Sequence, residues 1–155
     1  MTKNFSVYLR VRYAECDAQK VVFNAKYAEY ADVAATEFTR AIWGDYSTLL
    51  ESGVDNQVVS LTIDWLAPAI FDDVLQIEVA THHIGNTSYS LDMQVKRDNG
   101  TEEQVKLLAK IRLTYVMVST TTYEKMPIPD VLREPLDAGA AGIVIDQSGE
   151  KIESI

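Results

Sequence analysis

Asp17 and Asn24 stand seven residues apart in the stretch RYAECDAQKVVFNAKYAEYADVAATEF, Arg12 to Phe38. Asp17 falls in a short polar loop, and helical periodicity begins at Asn24. An aspartate is ordinarily ionised at neutral pH and can attack a carbonyl carbon or draw a proton from water. Free amides at a helix start can hold the oxyanion that then develops, and losing one such donor costs about 3–4 kcal/mol of transition-state stabilisation. Together the two residues point to hydrolysis at a carbonyl. The competing reading of Asp17 is structural: an aspartate in a polar loop commonly binds the amides of its own turn.

Other residues offer less. The Cys16 thiol adjoins Asp17 but needs a base, and the two histidines, His82 and His83, lie far along the chain. An inert thiol is the expectation. Adjacent histidines on one strand point to opposite faces, so His82 and His83 cannot chelate one ion, and no metal is expected. Asp32 lies off the apolar stripe of the helix and reads as a solvated side chain, with contact to a substrate as the alternative. A serine hydrolase is not supported, since no G-x-S-x-G occurs, and no glycine-rich phosphate loop is present.

The elements that must position these residues follow from periodicity. Phe5, Val7, Leu9, Val11 and Tyr13 alternate with polar residues, which predicts a first strand, and Ala14 to Lys20 reads as a loop. Tyr27, Tyr30, Ala31, Ala34, Phe38, Ala41 and Ile42 form one helical stripe, with Asn24 as N-cap and Gly44 as stop. A short helix, Tyr46 to Glu51, follows. The rest is mostly strand. Val59, Leu61, Ile63 and Trp65 face inward, as do Leu75, Ile77 and Val79, then Tyr89, Leu91, Met93 and Val95. Asp98-Asn99-Gly100 marks a hairpin turn, and the last strand turns Val105, Leu107, Ala109, Ile111, Leu113, Tyr115 and Met117 inward. One strand, one long helix and four strands make an α+β fold, an antiparallel sheet curling round the helix. Asp130 to Leu136 reads as a helical turn or two.

The 155 residues suit one domain and 47% of them are hydrophobic, so the chain is globular. Residues 1–136 are expected to form the domain and 137–155 a peripheral, partly mobile extension. A net charge of −9 argues against nucleic acid as a partner and also repels an anionic substrate. No apolar run approaches the roughly 18 residues needed to span a bilayer. The N-terminus lacks a signal-peptide core, and the single cysteine fits a reducing cytoplasm.

The run from Arg12 to Tyr27 resembles the signature of the 4-hydroxybenzoyl-CoA thioesterase family of hotdog-fold proteins. So do Ile63-Asp-Trp-Leu-Ala-Pro68 with Phe71-Asp72-Asp73, and Ile84-Gly-Asn-Thr-Ser-Tyr89. The resemblance covers roughly residues 5–130 in the same order and spacing. It implies a five-stranded antiparallel sheet wrapped round one long helix. It also implies edge-to-edge homodimers with sites at the seam, often paired into homotetramers. Activity would be hydrolysis of a small-to-medium or aromatic acyl-CoA without a cofactor, with a carrier-protein thioester less favoured because this chain is acidic.

By that resemblance Asp17 is the catalytic nucleophile or general base, and the Asn24 backbone N–H polarises the thioester carbonyl. Tyr27 lines the acyl pocket, and Ser60 reaches it from the opposite subunit. Two departures stand out. Lys20 replaces a common glycine, where a long cation either narrows the mouth or meets a substrate phosphate. The basic cluster that holds the nucleotide in one branch is missing near Gly85-Asn86-Thr87. Two other readings share the sequence: a hotdog dehydratase or hydratase, which needs a histidine paired with a carboxylate, and a non-catalytic acyl-CoA-binding protein.

Overall fold

The computed structural model describes residues 4–101 and 105–149. Strand β1 (Phe5–Arg10) leads through a single 3-10 turn (Tyr13–Glu15) and the Asp17 loop into helix α1 (Lys26–Trp43). Helix α2 (Tyr46–Glu51) is followed by strands β2 (Val54–Trp65), β3 (Val74–Ile84), β4 (Ser88–Arg97) and β5 (Lys106–Ser119). Helix α3 (Asp130–Ala138) and a short strand β6 (Val144–Asp146) complete the chain. This is the hotdog fold, with α1 packed against one face of a single sheet.

The sheet runs β2-β5-β4-β3-β1-β6. Five strands were expected and six are present. The sixth, β6, comes from the segment read as a peripheral extension and pairs parallel with β1, Ser6 opposite Val144. A three-residue strand carries no periodicity of its own, so only its partner reveals it. Residues 150–155 of that extension, and Glu102 to Gln104 beyond the Asp98-Asn99-Gly100 turn, lie outside the described residues.

The stripe of α1 makes the core. Tyr27, Tyr30, Ala31, Ala34, Ala35 and Phe38 are buried, and Phe38 meets Phe5 of β1 edge to face at 5.4 Å. Ala41, placed on the stripe by periodicity, is exposed. Gly44 ends the helix at φ 83°, a left-handed conformation that glycine adopts without steric cost. The start of the helix differs from expectation. Ala25, not Asn24, occupies the cap position, and no side chain caps the first turn.

Three β-bulges shift the period-two reading. The first makes Val59 the extra residue of β2, so that Val58 faces Tyr115 and Ser60 faces Thr114. Val58 therefore joins the inner face, and Ser60, Thr62 and Asp64 the outer one. The second falls at His82 and the third at Leu108, which is fully buried while Leu107 is only partly so and Val105 is exposed. Each bulge adds one residue without a partner and inverts the faces beyond it.

Candidate active site

The Asp17 loop folds back on itself. Asp17 N–H donates to Val21 O (2.9 Å), Lys20 N–H donates to Asp17 O (2.9 Å), and a β-bridge joins Cys16 to Val22. Phe23 N–H reaches Glu15 O at 2.9 Å, and Val22 N–H reaches Ala69 O at 2.9 Å, which ties the loop to the β2–β3 connection. That connection is itself pinned by Asp73. Its buried carboxylate accepts from Ile70 N–H (2.9 Å), Arg97 Nε (2.9 Å) and Asn99 Nδ2 (3.2 Å).

Asp17 is half-buried. Its Oδ1 accepts the Gln19 N–H at 2.8 Å, the self-turn bond that the structural reading foresaw. Its Oδ2 has no hydrogen-bond partner among the described residues. One oxygen is thus engaged by its own turn and the other is unengaged, so the structural reading of this residue does not exclude the catalytic one.

Seven residues on, the chain turns into α1. Lys26 N–H donates to Phe23 O (2.9 Å), Tyr27 N–H to Asn24 O (3.3 Å) and Ala28 N–H to Ala25 O (3.2 Å). The N–H groups of Asn24 and Ala25 donate to nothing among the described residues, and both residues are exposed. Two consecutive unpaired amides thus stand at the positive end of an 18-residue helix. The Asn24 side chain, expected to cap that end, forms no hydrogen bond among the described residues, so what it presents there is its backbone N–H.

A buried carboxylate braces the arrangement. Glu15, 5% exposed, accepts Arg12 N–H (2.8 Å) and the Tyr30 hydroxyl (2.9 Å) at Oε1, and the Arg12 guanidinium at Oε2. Burial, then the hydrogen bond to Glu15, push the Tyr30 hydroxyl far up from its ordinary value. No pattern in the sequence links residues 15 and 30, so this brace was not foreseen.

Tyr27 is 2% exposed and lies under Trp65 (ring centroids 6.3 Å apart) and beside Tyr30 (5.7 Å). Burial raises its pKa, opposed by the Ala69 backbone and Arg97. In the single chain it is a core residue covered by Trp65, not an open pocket wall. Ser60 is exposed on the face of the edge strand turned away from α1, and among the described residues it shares no hydrogen bond with the Asp17 loop. The structure brings Asp17, Asn24 and Tyr27 into one segment, and Ser60 stays apart from them.

Around the loop are large apolar side chains, each at least 46% exposed: Phe23, Leu66, Ile70 and Phe71, which periodicity did not single out, and Tyr13, which alternation placed on the first strand but which begins the 3-10 turn and meets Phe71 edge to face at 5.9 Å. The first four sit in connections, where no period marks them. A cleft of about 360 Å³ opens between α1 and the edge strand, lined by Asp32, Thr36, Tyr46, Asn56, Val58 and Tyr115 among others. Asp32, read as a solvated side chain with substrate contact as the alternative, forms one of its walls. A larger groove of about 640 Å³ lies at the opposite edge of the sheet, by Tyr8, Arg10 and Asp146, and contains none of the candidate residues.

His82 and His83 are both exposed, and His82 Nδ1 lies 3.3 Å from Asp92 Oδ2. The bulge at His82 interrupts the strict alternation expected there. Arg112 holds the same carboxylate through two bonds of 2.7 and 3.0 Å, which lowers the Asp92 pKa. Asp92 alternates with buried Leu91 and Met93, so this cluster lies on the outer face, across the sheet from α1. Among the described residues no three His, Cys, Asp or Glu side chains converge in a way that could hold a metal ion.

The model of the thioesterase-like superfamily matches residues 11–136. The chain belongs to that superfamily. As an enzyme it therefore falls among the thioester hydrolases. It is 30% identical over 99 residues to an acyl-CoA thioesterase, YbgC, of Haemophilus influenzae, covering 63% of this chain and 73% of the relative. Among solved structures it is similar to a mutant 4-hydroxybenzoyl-CoA thioesterase complexed with 4-hydroxybenzoyl-CoA (TM-score 0.76, 20% identity, 84% of this chain and 96% of the other). It is also similar to a 1,4-dihydroxy-2-naphthoyl-CoA thioesterase from Synechocystis (TM-score 0.75, 18% identity, 86% and 95%). At such identities these two likenesses speak for the fold.

Proposed function

We propose that the superfamily member described here hydrolyses acyl-CoA thioesters, with Asp17 and the start of α1 as its machinery. The observation that carries this is the pairing of a carboxylate oxygen without a partner, Asp17 Oδ2, with the unpaired N–H groups of Asn24 and Ala25. A thioester carbonyl placed against those amides is polarised, and its oxygen gains donors as it becomes an oxyanion. If Asp17 takes a proton from water, that water attacks the carbonyl carbon, the C–S bond breaks, CoA leaves as thiolate and receives the proton, and the acid is released. If Asp17 itself attacks, C–S cleavage releases CoA and leaves an acyl-aspartyl anhydride, which a water then hydrolyses to the acid and the free carboxylate. No cofactor enters these steps.

The site is completed, in this reading, by a second copy of the chain. Edge strand β2 leaves Val58, Val59, Leu61 and Trp65 at least 40% exposed, an apolar rim ready for edge-to-edge pairing. Pairing there would bring the partner's β2, and with it a second Ser60, toward the seam, and Tyr27 would back the acyl pocket from beneath Trp65. A homodimer is the working unit and a homotetramer the larger assembly. The cleft beside Tyr115 and Asn56 suits a small-to-medium or aromatic acyl group. No helix among the described residues is long and apolar enough to cross a membrane. The proposed cytoplasmic location rests on the single cysteine.

The histidine–carboxylate pair that a hotdog dehydratase requires does exist, as His82 with Asp92. It is on the face of the sheet opposite α1, so that reading is not favoured. The test of the hydrolase reading is thiol release from a panel of acyl-CoA thioesters by wild type and by Asp17→Asn. Turnover should fall about 10³-fold with the circular dichroism spectrum unchanged. Equal turnover by the variant on every accepted substrate refutes the role of Asp17, and no thiol release by wild type leaves an acyl-CoA-binding protein.

A further inference from the structure

We propose that Lys20 is a docking cation for the phosphate groups of CoA, an inference that rests on the acyl-CoA hydrolase reading above. Three cations lie between Arg12 and Tyr27. Arg12 is paired with Glu15 (3.2 Å) and Lys26 with Glu29 (3.1 Å). Among the described residues the Lys20 ammonium has neither hydrogen bond nor ion pair, and it stands on an exposed residue of a chain whose net charge is −9.

The backbone makes its identity informative. Lys20 has φ 65°, in the left-handed region that disfavours a residue with a Cβ and leaves glycine unstrained. Its N–H donates to the carbonyl of Asp17, so the strained residue closes the turn that carries the proposed catalytic carboxylate. A glycine would make this turn at lower cost. A lysine there holds a positive charge beside the site without spending it on a neighbouring acid.

That charge answers a difficulty of the acyl-CoA reading. The substrate is a polyanion, and an acidic protein repels it at long range. An ammonium unpaired among the described residues, on the exposed rim of the loop (Ala18, Gln19 and Lys20 are all exposed), offers local attraction beside the proposed site. Lysine suits the task, since it binds phosphate as a mobile point charge with no fixed geometry.

The experiment compares wild type with Lys20→Met, which keeps bulk and loses charge, and Lys20→Gly, which loses both and relieves the backbone. Each is assayed on an acyl-CoA and on the same acyl group carried by N-acetylcysteamine, which lacks phosphates. Both variants should raise KM for the acyl-CoA about five- to tenfold and leave the N-acetylcysteamine thioester unaffected. CoA alone should inhibit them correspondingly less. The wild-type KM for acyl-CoA should rise with added salt more steeply than theirs, and Lys20→Gly should melt higher than wild type. KM values for acyl-CoA within twofold of wild type in both variants overturn the proposal, and so does a Lys20→Met enzyme like wild type beside a Lys20→Gly enzyme with altered KM on both substrates, which would mean that bulk narrows the mouth. If wild type cleaves neither thioester, the hydrolase reading itself falls and the docking role with it.

Discussion

The hydroxyl of Tyr30, in the second turn of α1, donates to the buried Oε1 of Glu15 at 2.9 Å and so fixes the helix to the loop that ends in Asp17. Because Glu15 also receives Arg12 N–H and its own carbonyl accepts Phe23 N–H, one residue sets the spacing between the carboxylate and the amides at the helix start. Tyr30→Phe removes a donor from a buried charge. The expected cost is about 1.5–3 kcal/mol of stability, read from urea denaturation. The turnover number should fall more than KM changes, since the brace positions the reacting groups and touches no substrate.

Seam formation along β2 makes a separate prediction. Val59, the bulged residue of that strand, is 58% exposed. Val59→Lys puts a charge on the open edge, a device that blocks strand pairing. Sedimentation should show the wild-type mass fall to that of a single chain, and hydrolysis should be lost with it. A wild type that sediments as a fully active single chain would rule out a shared site.

Tyrosine ionisation predicts a limit at high pH. Burial, with a smaller push from Asp32, raises Tyr115 to about 12. The hydrogen bond to Asp55, with burial second, raises Tyr46 to about 12. An unfolded tyrosine titrates near 10. Since the folded values lie above the unfolded one, their contribution to stability is complete below about pH 10 and is lost as pH rises through about 12. Urea midpoints should therefore hold to about pH 10 and then drop, and Tyr115→Phe should shallow the drop.

The long helix was readable because Tyr27, Tyr30, Ala31, Ala34 and Phe38 recur at its period and Gly44 ends it. The strands were readable in order but not in phase. Val59, His82 and Leu108 each insert one residue, and alternation has no means of announcing an insertion. Asp17 could be picked out by its loop and its distance from the helix start, yet its free oxygen could not, because that depends on which amide Gln19 presents. The cap reading of Asn24 rests on its side chain, whereas the resemblance implies its backbone N–H. What the fold presents there is an N–H, which any residue but proline would supply. The Glu15–Tyr30 brace and strand β6 depend on contacts between distant segments, which local patterns do not encode.

The parallel strand laid against β1 has an effect on growth. Ile145 and its neighbours occupy hydrogen-bonding positions that a foreign strand would otherwise take, and their own outer rim is only three residues long. Such a stub is a poor template. The sheet thus has one open margin and one blunt margin. Units joined along the open margin, as proposed, would meet as a twofold couple and stop, with fibre-like extension of the sheet blocked at the blunt end of each.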